Sequence, residues 1–420
     1  ARQRDMRMFR RPKAIKAAFF QGHGQFAGRH GIIGEEHGGA NFHVSLPLPL
    51  REGWPLPRFQ ASPAPLLNSA RIPKEGQERT TAMLARHGRY DYHPWRGRTP
   101  YAWPGGAKLA VYIGLNLEHF AFGEGLGAEL APGGPQPDVM NYAWRDYGNR
   151  VGAWRLLDLF DELQLPATVL LNSAMYDYAP ALLAAHRARG DEFAGHGRSN
   201  SERQSILPEA EEAALITESS AAIAKHEGKP PRGWLSPWIA ESRMTPDLLV
   251  EGGYRYTLNW CADDAPIWMK TRAGKLLAIP YPQEVNDIPS IVGRKDGAEY
   301  FADMIMDDFE ERRRQIGDGL PQVMGIALHP YLVGQPYRMR HLRRALGHIT
   351  ARRNDIWITT AGGIYDHVLT LPKGSMPGEE DASLSAACRA GAWRLRHATR
   401  PQYAENRGSG GSWPLCRALA

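Results

Sequence analysis

Lys108-Leu-Ala-Val-Tyr-Ile-Gly-Leu-Asn-Leu-Glu-His-Phe120 decides the fold class, because it is an apolar run that ends on two adjacent ionisable residues. A short run rich in β-branched and aromatic residues is typical of a buried strand in a parallel sheet. In α/β folds the residues at the carboxyl ends of such strands face the ligand. Glu118 and His119 are therefore candidate site residues, although an acid after a strand is also common as a helix cap or a solvated loop group.

Outward from this stretch, strand-like runs alternate with amphipathic helical windows over about 280 residues. The predicted strands are 108–116, 167–171, 191–195, 255–260, 276–280, 323–328 and 355–359. Helical windows cover 151–163, 173–188, 209–226, 245–252, 297–315 and 337–351. Repeated strand–helix units predict an α/β domain built as a parallel barrel or a variant of one.

The two ends of the chain have a different composition from this central part. Residues 1–83 mix arginine, glycine and proline without sustained periodicity, and residues 373–420 include the run Gly-Ser-Gly-Gly-Ser. Such segments are typical of low-order extensions. We therefore expect a basic N-terminal extension over 1–83, a catalytic domain over 84–372 and a C-terminal tail over 373–420.

The net charge of +6 does not indicate a nucleic-acid partner, because the excess basic residues lie outside the predicted domain. Residues 1–89 contain 15 basic and 6 acidic side chains and residues 374–420 contain 6 and 4, so residues 90–373 carry a net charge of −5. A nucleic-acid-binding protein needs a basic face on its folded part. We expect no nucleic-acid partner.

Cysteine usage and hydropathy predict the cellular compartment. The three cysteines, Cys261, Cys388 and Cys416, are widely separated, so neither a disulfide framework nor a thiolate zinc site is indicated. No run approaches the roughly 18–20 apolar residues that a membrane span needs, and the basic amino end lacks the apolar segment of a secretory signal. We expect a cytoplasmic protein without a membrane partner.

Ionisable residues follow several of the predicted strands. Glu118 and His119 follow the first, His196 follows 191–195, His329 follows 323–328, and Asp263 and Asp264 come after 255–260. If the strands are parallel, these side chains converge at one end of the barrel. Each imidazole could instead be a core or loop histidine, but three strands that end in this way favour an active site.

The motifs around these residues carry a resemblance to a known family. Gly195-His-Gly-Arg-Ser-Asn200, Arg232-Gly-Trp-Leu-Ser-Pro237, Asn259-Trp-Cys-Ala-Asp-Asp264 and Ala327-Leu-His-Pro330, in this order, resemble the polysaccharide deacetylase (NodB-homology) superfamily, and most of all its allantoinase-like branch. The resemblance covers roughly residues 84–372. It implies a distorted (β/α) barrel of seven or eight strands and hydrolysis of carbon–nitrogen bonds other than peptide bonds.

The same resemblance implies roles for individual residues and raises the question of a metal. Family members have a base and a metal ligand after the first strand, where this chain has Glu118 and His119. They then have two ligand histidines, where this chain has His196 and Asn200. A carboxamide is a poor zinc ligand, so we expect His119 and His196 to bind a divalent ion such as Zn²⁺ only if a metal is bound at all. The resemblance to the allantoinase-like branch, which implies an enzyme without the usual metal triad, favours a metal-free enzyme.

Two mechanisms remain open on the sequence. In one, a divalent ion held by His119 and His196 polarises the amide carbonyl and acidifies a water while Glu118 takes the proton. In the other, Glu118 activates the water directly, and His119, His196 or a backbone donor stabilises the oxyanion. In both, His329 is the acid that protonates the departing nitrogen.

Further residues are predicted to support the site. Asp264 is a candidate catalytic residue that orients His329 or Glu118, although it could simply cap a turn before Pro266. The predicted substrate-binding residues are Asn200, Trp234, Pro237, Trp260, Glu284 and Asn286, of which the tryptophans could equally be core or rim packing.

Three functional hypotheses follow. The first is a hydrolase of a small linear or cyclic amide, ureide or imide; the second is a metal-dependent de-N-acetylase of amino sugars or polysaccharide. The third is a catalytically silent barrel that binds carbohydrate or another ligand, which the loss of the second histidine at Asn200 keeps open. We also expect a homo-oligomer, since the aromatic segment 142–147 could be buried at an interface.

Overall fold

The structure is a computed structural model that describes residues 84–131, 133–316 and 319–379. The predicted extension over 1–83 and most of the predicted tail lie outside the described residues. Within the described part the packed body continues beyond residue 372. Met376 is buried in the core, and the backbone nitrogen of Trp268 donates to the Pro377 carbonyl at 2.8 Å.

The described residues contain one curled sheet that defines the fold. Its strands are β1 (Leu109–Leu117), β2 (Thr168–Leu171), β3 (Glu192–Gly195), β4 (Gly233–Trp234), β5 (Tyr256–Thr257), β6 (Ile267–Thr271), β7 (Gly274–Ala278), β8 (Gln322–Leu328) and β9 (Trp357–Thr359). The strand order is β6-β7-β5-β4-β3-β2-β1-β8, and β9 also pairs with β1. Neighbouring strands are parallel except in the antiparallel hairpin β6–β7.

A backbone contact after β7 brings the two sides of the curled sheet together. Asn286 forms a parallel bridge with Ala327 of β8, and the Ala327 nitrogen donates to the Val285 carbonyl at 3.1 Å. The predicted distorted (β/α) barrel is thus confirmed. Two of its strands, β4 and β6, are missing from the prediction; β4 has only two residues, too few to show a period.

Helices connect the strands and cover the outside of the sheet. They are α1 (Val139–Tyr147), α2 (Ala153–Leu163), α3 (Met175–Tyr178), α4 (Pro180–Arg189), α5 (Glu209–Glu227), α6 (Thr245–Glu251), α7 (Ala298–Gln315), α8 (Pro330–Val333), α9 (Pro336–Thr350) and α10 (Ala361–Val368). Short 3₁₀ turns cover Pro104–Gly106, Gln204–Ile206 and Pro237–Ile239, and π-helical turns cover Gly148–Gly152 and Ile288–Arg294. No helix of the described residues is long and apolar enough to cross a membrane.

Strand β1 is buried along its whole length because it has core on both faces. Leu109, Val111, Ile113, Leu115 and Leu117 pack in the outer cluster, beneath α2, α7 and α9. Ala110 and Tyr112 belong to a second cluster, which fills the inside of the barrel. Because side chains alternate between the faces of a strand, even-numbered positions of β1 point inward and odd-numbered positions outward.

Candidate active site

The alternation of β1 continues past its last residue and separates Glu118 from His119. Asn116 and Glu118 follow the inward register and line a cavity at the carboxyl end of the strand. His119 is absent from that lining and its ring lies against Tyr178, with 4.4 Å between the ring centroids. The two adjacent residues singled out from the sequence therefore occupy different environments.

The same alternation brings His196 and His329 to Glu118. In β8, Val323 and Ala327 face the interior cluster, so His329 follows in the inward register. In β3, Ala194 faces inward, and so does His196 two residues later. The Nε2 atoms of both imidazoles lie 3.5 Å from Glu118 Oε1, and all three side chains are less than 10% exposed. The three residues form a buried acid–imidazole cluster.

His329 is held as an imidazolium by a second carboxylate. Its Nδ1 lies 2.6 Å from Asp287 Oδ1, and its backbone nitrogen donates to Asp287 Oδ2 at 2.7 Å. Burial alone would lower the pKa of His329, but Asp287 and Glu118 outweigh burial and raise the pKa to about 9. Burial in turn raises the pKa of Asp287, so the short contact holds the Nδ1 proton firmly between the two groups.

His196 has a different partner and therefore different chemistry. Its Nδ1 donates to the Leu235 carbonyl at 2.7 Å, and its Nε2 has no hydrogen-bond partner among the described residues. Gly195 and Gly197, on either side of His196, allow the backbone to place its ring here. A Cβ on Gly195 would come within 2.7 Å of the Trp234 ring, and Gly197 has a φ of +68°, which disfavours other residues.

The electrostatics around Glu118 keep its carboxylate ionised. Burial raises the pKa of Glu118, but the facing His329 and His196 outweigh burial and hold it well below the usual range. The side-chain amide of Asn149 donates to the Glu118 carbonyl at 2.7 Å and fixes the backbone there. An ionised base and a protonated imidazole thus lie side by side.

The cavity above the cluster has a volume of about 170 Å³. Its lining includes the predicted residues Asn200 and Asn286, together with Asn116, Arg145, Trp238, Tyr281 and Gln283. Trp238 and Ile239, which also line it, have left-handed φ values of 60° and 54°. Such strained backbone persists only where the surroundings fix it, and it clusters at functional sites.

Four predicted substrate-binding residues do not line this cavity. Trp234 is fully buried and packs edge-on against Tyr254. Pro237 is buried behind Gly197, and Trp260 donates to Glu241 at 2.6 Å. Glu284 is 81% exposed and pairs with Arg294. The first three pack in the body and the fourth lies at the surface.

Asp264, predicted as a catalytic residue, does not lie beside the acid–imidazole cluster. The Asp264 carbonyl accepts from the Val323 nitrogen at 2.8 Å, near the start of β8, and its carboxylate pairs with Arg312. At about 3.3 Å per strand residue, Val323 lies roughly 20 Å along β8 from His329. The chain after β5 leaves the strand end before it reaches Asp264, and Asp287 supplies the carboxylate that orients His329.

The residues at the family's metal-ligand positions do not fit a metal. The His119 ring faces Tyr178, and Asn200 Oδ1 accepts a hydrogen bond from the Asn172 amide at 3.0 Å. Of the positions in question this leaves His196, whereas a zinc site is built from three or four nitrogen, sulfur or carboxylate ligands. Across the part of the chain that the structure describes, no three His, Cys, Asp or Glu side chains are grouped as a metal site requires.

Sequence reasoning missed two charged residues of the site. Asp287 directly follows Asn286, a predicted substrate-binding residue, and an acid before a proline-containing turn is its only signal. Arg145 lies in the aromatic segment 142–147, which was interpreted as an interface. Neither residue lies directly after a predicted strand, so the pattern of polar residues at strand ends does not indicate them.

Comparison with known proteins finds relatives among the polysaccharide deacetylases. Residues 136–257 match the family model of polysaccharide deacetylases. A putative polysaccharide deacetylase from Schizosaccharomyces pombe is 27% identical over 295 residues, which are 61% of this chain and 89% of that protein. A peptidoglycan deacetylase from Helicobacter pylori is 23% identical over 245 residues, 51% of this chain and 82% of that protein.

Solved structures support the same assignment. A probable polysaccharide deacetylase from Pseudomonas aeruginosa is 27% identical, has a TM-score of 0.56, and the match covers 63% of this chain and 92% of that one. Puue allantoinase shares the fold at 24% identity with a TM-score of 0.58, over 67% of this chain and 98% of that one. The chain is therefore similar to polysaccharide deacetylases in sequence and in fold, and this similarity is consistent with a hydrolase of carbon–nitrogen bonds other than peptide bonds.

Proposed function

We propose that the protein hydrolyses a small linear or cyclic amide, ureide or imide, with Glu118 as the base and His329 as the acid. One observation carries the proposal: a single ionised carboxylate faces two imidazoles, and only one of these is charged by a further carboxylate. Base and acid thus have their working protonation states before substrate arrives.

The first step is attack of water on the amide carbonyl. Glu118 Oε1 can accept a hydrogen bond and His196 Nε2 has no partner among the described residues, so a water held between them would donate to Glu118 and present a lone pair to the carbonyl carbon. As the carbon–oxygen bond forms, Glu118 takes one proton from the water. His119 does not line the cavity, so its geometry does not support the role of an oxyanion donor.

The second step is departure of the nitrogen. His329 gives its Nε2 proton to the nitrogen as the carbon–nitrogen bond breaks, so the leaving group departs as a neutral amine or amide rather than as an anion. Glu118 then carries the proton taken from water, 3.5 Å from the neutral His329. Transfer of that proton to His329 restores both groups without another reactant.

The dimensions of the site favour a small molecule. A cavity of about 170 Å³ is smaller than the roughly 300–1,000 Å³ typical of sites for drug-sized ligands. A ring or short chain with an amide would fill it, whereas a polymer would need a groove that continues beyond it.

A de-N-acetylase of amino sugars is the second candidate, because two relatives carry the names polysaccharide deacetylase and peptidoglycan deacetylase. It is weakened by His119 and Asn200, which do not form the family's ligand set with His196. Activity on N-acetylglucosamine oligomers that chelators abolish and Zn²⁺ restores would favour this candidate over ours.

The proposal is tested by Glu118→Gln in the full chain. We expect the wild-type protein to release amine or ammonia from members of a panel of small amides, ureides and cyclic imides, and Glu118→Gln to lose ~10²–10⁴-fold in kcat. Glu284→Gln is the matched control, since Glu284 is exposed and outside the cavity. Turnover retained by a correctly folded Glu118→Gln protein would overturn the proposal.

A further inference from the structure

We infer that Arg145 binds a carboxylate of the substrate, so that the substrate is an amide or ureide that also carries an acid group. This inference rests on the proposed function and deepens it by naming the substrate class. It comes from the contacts of Arg145, from the charges of the cavity and from the geometry of the guanidinium.

Arg145 lies on α1 and lines the same cavity as Glu118. Its guanidinium carbon is 4.0 Å from the centroid of the Phe120 ring, 5.5 Å from that of Tyr331 and 5.8 Å from that of Trp238. Contacts between a cation and aromatic rings at these distances are attractive and hold the side chain in place. The arginine is therefore fixed beside the catalytic cluster before a ligand binds.

The guanidinium has unused hydrogen-bonding capacity. Arg145 Nε donates to Asn141 Oδ1 at 3.2 Å, and no carboxylate of the described residues lies within ion-pair distance of Arg145. A guanidinium has five N–H donors, so four remain without a protein acceptor in that part of the chain. By contrast, Arg98 is paired with Asp263 and Arg89 with Asp247.

Arg145 is the charged residue of the cavity lining that has no ion-pair partner among the described residues. Glu118 faces the two imidazoles, and Asp287 neutralises His329 from behind. Arg145 also lines this cavity, and no carboxylate of the described residues lies within 4.0 Å of its guanidinium. A negative group on the substrate would give Arg145 the ion-pair partner that it lacks among the described residues.

The shape of the guanidinium selects a planar anion. Rings against its faces leave its N–H edge available, and that edge matches a carboxylate through two parallel hydrogen bonds. Because Arg145 and Glu118 share a cavity of about 170 Å³, the acid and the scissile amide must be a few bonds apart. Acylated amino acids and ureido acids have this spacing.

Equilibrium binding to a protein that cannot turn over tests this inference. Calorimetry on Glu118→Gln would compare N-carbamoylglycine with N-carbamoylglycinamide, which differ only in that the carboxylate is replaced by a neutral amide. The same two titrations would be made after adding Arg145→Gln. Arg150→Gln is the matched control, since Arg150 is 70% exposed and does not line the cavity.

We expect the carboxylate probe to bind at least ~10-fold more tightly than the amide, about 1.4 kcal/mol, and Arg145→Gln to abolish this preference. Arg150→Gln should leave it intact, and Arg145→Lys, which keeps the charge but not the fork, should retain part of it. If Arg145→Gln fails to fold, the comparison is made with Arg145→Lys.

Equal binding of the two probes, an equal effect of Arg145→Gln on both, or no binding of the carboxylate probe at millimolar concentration would overturn the inference. Failure of the proposed function would show itself separately, as turnover that survives Glu118→Gln, because the binding experiment involves no catalysis.

Discussion

The strand ends that carry His196 and His329 place the same side chain at the same distance from Glu118, but they give it different partners. Behind His196 lies the Leu235 carbonyl at 2.7 Å; behind His329 lies the Asp287 carboxylate at 2.6 Å. A carbonyl orients a ring, whereas a carboxylate also stabilises its positive charge. The group behind each ring therefore assigns its role: His329 donates a proton, and His196 holds the water.

Replacement of His329 should have the largest effect on activity. His329→Gln removes the proton donor while leaving a polar side chain, so we expect kcat to fall by ~10²–10⁴-fold. Steady-state kinetics on the best substrate of the panel checks this. His341→Gln, on α9 and outside the cavity, should behave as wild type; a loss below tenfold at His329 would contradict its role as the acid.

Replacement of Asp287 should make the surroundings of His329 more like those of His196. In the wild type His329 must be protonated to act, so activity should fall as the pH rises through about 9. Asp287→Asn removes the charge behind the ring and so lowers the pKa of His329. The alkaline limb of the pH profile, where activity falls as His329 loses its proton, should move to lower pH by about one pH unit or more. Profiles of kcat against pH for both proteins measure the difference, and an unmoved limb would show that Asp287 does not charge His329.

Replacement of His196 should have the smallest effect. His196→Gln can still hydrogen-bond to water, so we expect a loss of about three- to tenfold in kcat, the value of one ordinary hydrogen bond. The alkaline limb should stay where it is, because His329 and Asp287 are untouched. A shift of that limb, or a loss as large as that of His329→Gln, would contradict the division of roles.

Whether the position of a residue can be predicted from the sequence depends on the physical constraint that fixes that position. Strand periodicity predicts β1, β3 and β8, and with them the convergence of Glu118, His196 and His329. The predicted convergence also included His119, but its ring lies against Tyr178, because successive side chains of an extended chain point to opposite sides.

Strand periodicity does not predict the positions of site residues on loops and helices. Asp287 reaches His329 through the connection after β7, and Arg145 reaches the cavity from α1. Their positions depend on how the chain closes the barrel, which no local pattern encodes. Asp264 is the opposite case. It comes shortly after a predicted strand, yet it lies near the start of β8, whereas His329 follows the end of that strand.

The protonation state of His329 is the most direct test of its role as the acid. ¹⁵N NMR of histidine-labelled protein, with His329 assigned by comparison with His329→Gln, would follow its ring nitrogens as the pH is raised. We predict that both nitrogens carry protons at pH 7 and that one is lost near pH 9. A His329 ring that is already neutral at pH 7 would contradict the account.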